Sequence, residues 1–187
     1  MKTGTKKYVV MCVGYTHTGK TTFAKALVKK HPNTIQIDSD EIAVFTKEKY
    51  PLVVESSYNK TRPDFKNLKM FIFKDVYDAS LKTGFNIILS NGNLAKKTRS
   101  FVARKAKKEG YGLITIYFNL PEDIILKRLE KTEKSNKVFI QSKTWAEVFN
   151  RQKKYSQFPP SKKNTIYFEI KDDADHEIVM KELGKLI

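Results

Sequence analysis

The sequence predicts a three-layer α/β/α fold: a mostly parallel five-stranded sheet, helices on both faces, and a small helical lid. Three observations carry this. Apolar runs of strand length alternate with helical-period segments from end to end, the pattern of crossover units and hence of parallel strands. Gly or Pro punctuates the junctions, at Gly84, Gly110, Pro121 and Pro159-Pro160. The first apolar run, Tyr8-Val9-Val10-Met11-Cys12-Val13, passes directly into a glycine-bearing loop and then a helix. At 187 residues the chain is expected to form one domain, with its lid at approximately 128–155.

The loop after the first strand reads Gly14-Tyr15-Thr16-His17-Thr18-Gly19-Lys20-Thr21, which is the spacing GxxxxGK[ST] of a P-loop. Its glycines allow a tight turn that aims backbone N–H groups at an anion, and the helix that follows adds the positive end of its dipole. Gly14 to Thr22 is therefore the expected binding segment for ATP or another nucleoside triphosphate. Lys20 is expected to reach its β and γ phosphates, and the Thr21 hydroxyl to ligate Mg²⁺. His17 offers the phosphates its backbone whatever its side chain does. Phe23, Ala26 and Leu27 place an apolar stripe on the helix, facing a sheet.

His31-Pro32-Asn33 ends that helix, and Thr34 to Ile37 reads as a short strand running into Asp38-Ser39-Asp40-Glu41, where an Asx or Ser cap starts another helix. Pro51 and Pro63 bracket a polar stretch with Tyr58 and Arg62. Phe65 to Lys82 has helical spacing, Asn86 to Leu89 is a buried strand, and Ser90-Asn91-Gly92-Asn93 is a turn before a basic helix at about 95–109. Leu113 to Phe118 is the next strand, and Pro121-Glu122-Asp123 opens a helix with Pro in the first turn and acids at the positive dipole end. Glu130 to Lys137 is charged without apolar periodicity, as a mobile lid would be. A helix from Thr144, a last strand at Ile166 to Ile170 and a closing helix from Ala174 complete the order. Because parallel crossovers are short and right-handed, the carboxyl ends of the first three strands should share one crevice.

The 36 Lys and Arg against 20 Asp and Glu give a net charge of +16, which points to nucleic acid as a partner through a basic surface; lysine that merely aids solubility is the alternative. Lys97, Arg104 and Lys108 recur along one face of the basic helix, with Lys96, Arg99, Lys105 and Lys107 nearby. Arginine is confined to positions 62, 99, 104, 128 and 151, so few residues are available to clamp a transferring phosphoryl group. Cys12, the single cysteine, falls within the first strand and reads as a small buried hydrophobe; no disulfide framework is possible. The N-terminal apolar run is too short for a signal peptide core or a membrane span, which makes the cytoplasm the default location.

Phosphoryl transfer needs positioned phosphates, neutralised charge and an oriented acceptor oxygen. Asp38 and Asp40, at the end of the second strand, are carboxylates placed for the last task; one would act as base and the other hold the metal or its water shell, unless they only cap the next helix. The third strand ends in Ser90-Asn91, without the acidic pair of motor and switch ATPases, which favours a kinase. Arg128 and Arg151 are the lid candidates for charge neutralisation, and Lys127, Lys131, Lys134 and Lys137 extend the basic lid. Trp145 and Phe149 are expected to pack the lid helix onto the core.

The P-loop unit, His31-Pro32, Asp38-Ser39-Asp40 and Ile87-Ile88-Leu89-Ser90-Asn91-Gly92-Asn93-Leu94 together resemble the kinase domain of phage-type 5′-hydroxyl polynucleotide kinases and, more loosely, the zeta-toxin group of P-loop kinases. The likeness runs from about Tyr8 to Arg151. It implies a kinase-type P-loop NTPase fold, with Asp40 as the general base that activates a 5′-hydroxyl. The Asp-x-Asp form at 38 and 40 is closer to the zeta toxins, which phosphorylate a nucleotide sugar. The chain departs from the phage pattern at Ala43, where an arginine would grip substrate phosphate, at Asn91 in place of an aspartate, and at Thr132, near which a second lid arginine is absent. The expected activity is transfer of the γ-phosphate of ATP to a hydroxyl, with a nucleic-acid 5′ end as the favoured acceptor. The alternatives are a small-molecule kinase and an ATP-gated nucleic-acid-binding module.

Overall fold

The computed structural model describes residues 6–50, 68–132 and 144–187. All five expected strands are present: β1 Tyr8–Val13, β2 Thr34–Ile37, β3 Asn86–Leu89, β4 Gly112–Phe118 and β5 Ile166–Ile170. They form one sheet in the order β2-β3-β1-β4-β5, and every neighbouring pair is parallel. The described helices are α1 Lys20–Lys30, α2 Ser39–Lys49, α3 Leu68–Ser80, α4 Lys96–Lys108, α5 Glu122–Glu130, α6 Trp145–Tyr155 and α7 Asp173–Gly184.

The two-residue period of β1 divides the core between the sheet's faces. Val10 and Cys12 pack with Phe23, Ala24 and Leu27 of α1, Ile125 and Leu129 of α5, Phe149 of α6, and Val179, Met180 and Leu183 of α7. Val9, Met11 and Val13 face the other way, onto Phe73 and Tyr77 of α3 and Val102 and Ala106 of α4. Both faces of β1 are covered, so its run is apolar throughout rather than alternating. Cys12 is fully buried, and burial pushes its thiol up to about 12, consistent with an inert packing role.

Several boundaries move slightly. Pro121 caps α5 rather than entering its first turn, which Glu122 and Asp123 occupy. Arg99, counted with the basic surface from its sequence position, turns inward instead. It is 9% exposed and donates to the carbonyls of Asn93 (2.9 Å), Leu94 (2.7 Å) and Gln157 (2.6 Å), tying the β3–α4 loop to the chain after α6. Three inward carbonyls in one place need a multivalent donor, and the guanidinium fork supplies it. The stretch with Tyr58 and Arg62, the predicted helix start at Phe65, and residues 133–143 of the predicted lid, including Lys134 and Lys137, lie outside the described residues. Among the described residues, no helix is long and apolar enough to cross a membrane.

Candidate active site

The carboxyl ends of β1, β2 and β3 meet at one edge of the sheet. Gly14 donates its N–H to the Gly92 carbonyl (3.0 Å), and the Asn93 side-chain amide donates to the Cys12 carbonyl (2.7 Å), joining the loop after β1 to the turn after β3. A side chain at position 14 is excluded by close approach: a Cβ there would lie 2.8 Å from the Phe118 carbonyl oxygen. Gly19 caps α1 in the left-handed region, at φ 93°.

The loop between these glycines is held from several sides. Thr18 is buried and its hydroxyl donates to the Tyr15 carbonyl (2.8 Å). The Tyr15 hydroxyl meets Ser156 Oγ (2.9 Å), and its ring lies edge-on to Phe149 and Phe158. Thr16 donates its N–H to Gln152 Oε1 of α6 (2.8 Å). The His17 ring packs against Trp145 at 4.7 Å, and burial, helped by Lys20 and Arg128, holds it below the ordinary imidazole range. Trp145 and Phe149 thus do the packing expected of them.

Lys20 is 8% exposed and lies along the loop, donating to the Tyr15 carbonyl and to Thr18 Oγ1 (3.1 Å). Burial pulls its ammonium down to about 8, against the opposing pull of Cys12, Asp40 and Asp38. A cation with so little water around it is primed to take an anionic partner.

Asp38 is 7% exposed and accepts from Thr21 Oγ1 (3.2 Å), Ser90 Oγ (2.8 Å) and the Asp40 N–H (2.8 Å). The last bond caps α2, so the capping alternative holds for Asp38, which engages Thr21 at the same time. A hydroxyl and a carboxylate side by side next to an anion cradle are the oxygen donors that Mg²⁺ prefers. Among the described residues, no group of three or more His, Cys, Asp or Glu side chains could hold a metal ion. An Mg²⁺ here would draw its remaining oxygens from water and phosphate, as it commonly does.

Asp40 is far more open, its side chain 55% exposed, and pairs with Lys69 of α3 (3.2 Å). It lines a cleft of about 610 Å³ that also contains Thr16, His17, Gly19, Lys20, Thr21 and Thr22 of the loop. Ala43, Asn91, Asn93 and Arg151 line the same cleft. Arg151 forms no salt bridge among the described residues. Arg128 sits elsewhere. It donates to the His17 carbonyl (3.3 Å) and to Asp173 (3.0 Å), buttressing the loop beside α7 rather than lining the cleft. Sequence reasoning missed Lys69, Met70 and Phe73 of α3 and Gln152 and Tyr155 of α6, all cleft residues. Their helical spacing was visible, but not the packing that swings these helices over the strand ends.

No curated protein matches the chain in sequence. Solved structures share its fold. A candidate kinase from Chloroflexus aurantiacus J-10-fl has a TM-score of 0.69 at 12% identity, covering 97% of this chain and 99% of that one. The APS kinase CysC of Mycobacterium tuberculosis, in complex with AMPPNP and APS, has a TM-score of 0.60 at 11% identity, with coverages of 97% and 98%. Kti12 of Chaetomium thermophilum, in complex with ADP-AlF3, has a TM-score of 0.59 at 16% identity, with coverages of 96% and 98%. At such identities the likeness is one of fold, the kinase-type P-loop NTPase fold expected from the sequence. The resemblance to polynucleotide kinases narrows to that common arrangement, since these neighbours are kinases and related proteins of several kinds. Residues 9–159, which contain the phosphate-binding loop, the Asp38–Asp40 turn and the cleft residues of α6, match the family model described as an AAA domain, and the chain belongs to that P-loop family.

Proposed function

We propose that the protein is an ATP-dependent kinase that moves the γ-phosphate to a hydroxyl of an acceptor held in the cleft, with a nucleic-acid 5′-hydroxyl as the favoured acceptor. One observation carries the reading: the Asp40 carboxylate and the phosphate-cradle residues Lys20 and Thr21 line the same cleft. The backbone from Gly14 to Thr22 cradles the triphosphate, and Lys20 neutralises it. Thr21 and Asp38 would hold Mg²⁺, which when bound neutralises charge on the phosphates. Asp40 accepts the proton of the attacking hydroxyl. Arg151 is positioned for the anionic groups of acceptor or transferring phosphoryl, and Arg128 holds the loop in shape.

A small-molecule acceptor is the second reading. A cleft of about 610 Å³ is within the usual range for metabolite sites. APS kinase, which shares the fold, is seen with the small molecule APS.

The test is ADP release measured with a 5′-hydroxyl oligonucleotide, the same oligonucleotide already 5′-phosphorylated, and a panel of nucleosides, nucleotide sugars and other metabolites. Turnover that requires the free 5′-hydroxyl supports the first reading, and turnover with metabolites alone supports the second. If no acceptor yields product while ATP alters nucleic-acid affinity, a gated binding module replaces both. Asp40→Asn should lower turnover by roughly 10²- to 10⁴-fold, the usual worth of a positioned base. Stability should barely change, because its exposed pair with Lys69 contributes at most about 1 kcal/mol. Unchanged turnover in Asp40→Asn would refute the base assignment.

A further inference from the structure

The α4 segment, KKTRSFVARKAKK, carries seven basic residues and no acidic one. Arg99 is turned inward and Lys105 is paired with Asp78 (2.7 Å), so the exposed cations left without a carboxylate among the described residues include Lys97, Arg104 and Lys108. These three positions fall on one helical face, and Phe101 occupies the same face between them. Its ring is only partly buried. Lys74 of α3 lies over it at 5.8 Å and Lys105 at 5.9 Å.

Helix α3 runs beside α4 on the same face of the sheet, held there by the Tyr77 hydroxyl on the Val102 carbonyl (3.0 Å). It adds Phe71, 53% exposed, under Lys74 at 5.9 Å. One exposed ring, Phe71, and one partly buried ring, Phe101, thus lie among cations contributed by two adjacent helices, which is the pairing of charge and aromatic surface that a single strand uses. The stripe also has a direction. Ala95 and Thr98 at the start of α4 line the Asp40 cleft, as do Lys69 and Met70 of α3. From there Lys97 to Lys108 extends about 16 Å along the helix axis.

We propose that the outer face of α4, with Phe71 and Lys74 beside it, is a track for single-stranded nucleic acid whose 5′ end enters the Asp40 cleft. This rests on the kinase reading above and deepens it, by assigning the nucleotides beyond the first to a surface outside the cleft. Lys97, Arg104 and Lys108 take phosphates along the strand, while bases displace Lys74 and Lys105 from the rings of Phe71 and Phe101 and stack there. Stacking tolerates any base and phosphate contact reads no sequence, so the track binds single strands without strong sequence preference.

The test measures binding of a 3′-labelled, 5′-hydroxyl single-stranded oligonucleotide across a salt series. Each phosphate contact on a single strand contributes about 0.7 to the log–log salt slope, so Lys97→Gln/Arg104→Gln/Lys108→Gln should reduce that slope by about 2. Turnover of a nucleoside 3′-monophosphate, too short to reach the track, should be unchanged in this variant. Phe101→Leu keeps an apolar side chain against α3 and removes the stacking face. It should weaken oligonucleotide binding about fivefold, the low end of a stacking contact, and leave inorganic polyphosphate binding unaltered. An unchanged salt slope in the triple variant overturns the track. So does equal loss of oligonucleotide and polyphosphate affinity in Phe101→Leu, which would make the face an indiscriminate polyanion patch. Failure of the kinase reading appears differently, as the absence of Asp40-dependent ADP release with every acceptor, and is independent of the slope.

Discussion

Replacing Asp38 separates its structural work from its proposed chemistry. Asp38→Ala removes the cap of α2, worth about 1 kcal/mol, and leaves Thr21 Oγ1, Ser90 Oγ and the Asp40 N–H without their acceptor. The full cost of three lost bonds to a carboxylate is not reached. Ser90 keeps Gln36 Nε2 at 3.2 Å and can donate to the Ile37 carbonyl at 3.5 Å, and Thr21 lines the open cleft. The expected loss is about 2–3 kcal/mol, or roughly 5–10 °C in Tm for a domain of this size. Asp38→Asn preserves the cap oxygen and the side-chain volume, and the two hydroxyls can rotate to accept from the new amide, so its cost should stay below about 1 kcal/mol. Turnover should nonetheless collapse in Asp38→Asn, with a raised Mg²⁺ requirement, because the anionic metal ligand is gone. The assays are a thermal melt followed by circular dichroism and ADP release over an Mg²⁺ titration. Wild-type turnover and Mg²⁺ dependence in Asp38→Asn would refute the metal role and leave Asp38 as a cap. A melt of Asp38→Ala within about 2 °C of wild type would refute the bonding argument itself.

Arg99→Met should destabilise the protein by about 2 kcal/mol in a urea titration, since the Asn93 and Gln157 carbonyls lose this donor while the Leu94 carbonyl keeps the Gln157 N–H (3.0 Å), and Arg99→Lys should recover only part of that because an ammonium cannot span them all. Lys20, lowered to about 8 by burial, binds fewer protons folded than unfolded between that pH and its ordinary value, so its contribution to stability should rise with pH from about 8 to 10.5. Lys20→Met should remove that part of the slope. The same group should take up a proton when a triphosphate binds near pH 8.5, read by calorimetry in buffers of different ionisation enthalpy; equal heats in all buffers would refute it.

Much of the fold was legible because its signals are local. Each strand is a short apolar run, and Gly, Pro or an Asx turn marks most junctions. The loop from Gly14 to Thr21 was legible for the same reason: cradling an anion takes consecutive backbone groups, and their spacing is written in the chain. The convergence of that loop with Asp38 and Ser90 followed from the handedness of parallel crossovers, which is general to such sheets. Residues whose place depends on side-chain direction were less readable. Arg99 sits at a position that could face water or the loop, and only the inward carbonyls of Asn93, Leu94 and Gln157 decide between them. Arg128 and Arg151 look alike in sequence, yet one buttresses the loop against Asp173 and the other lines the cleft.

By itself, then, the sequence determined the parallel α/β framework and the phosphate-binding loop, because apolar periodicity and glycine spacing act over a few residues. The tertiary structure alone decided what surrounds that loop, the Lys69 pair on Asp40 and the α6 wall with Arg151 and Tyr155, and what lies beside α4, Lys74 of α3 over the ring of Phe101. Those arrangements join residues on different helices, and their geometry is set by how the helices pack across the sheet rather than by the local sequence of any one of them.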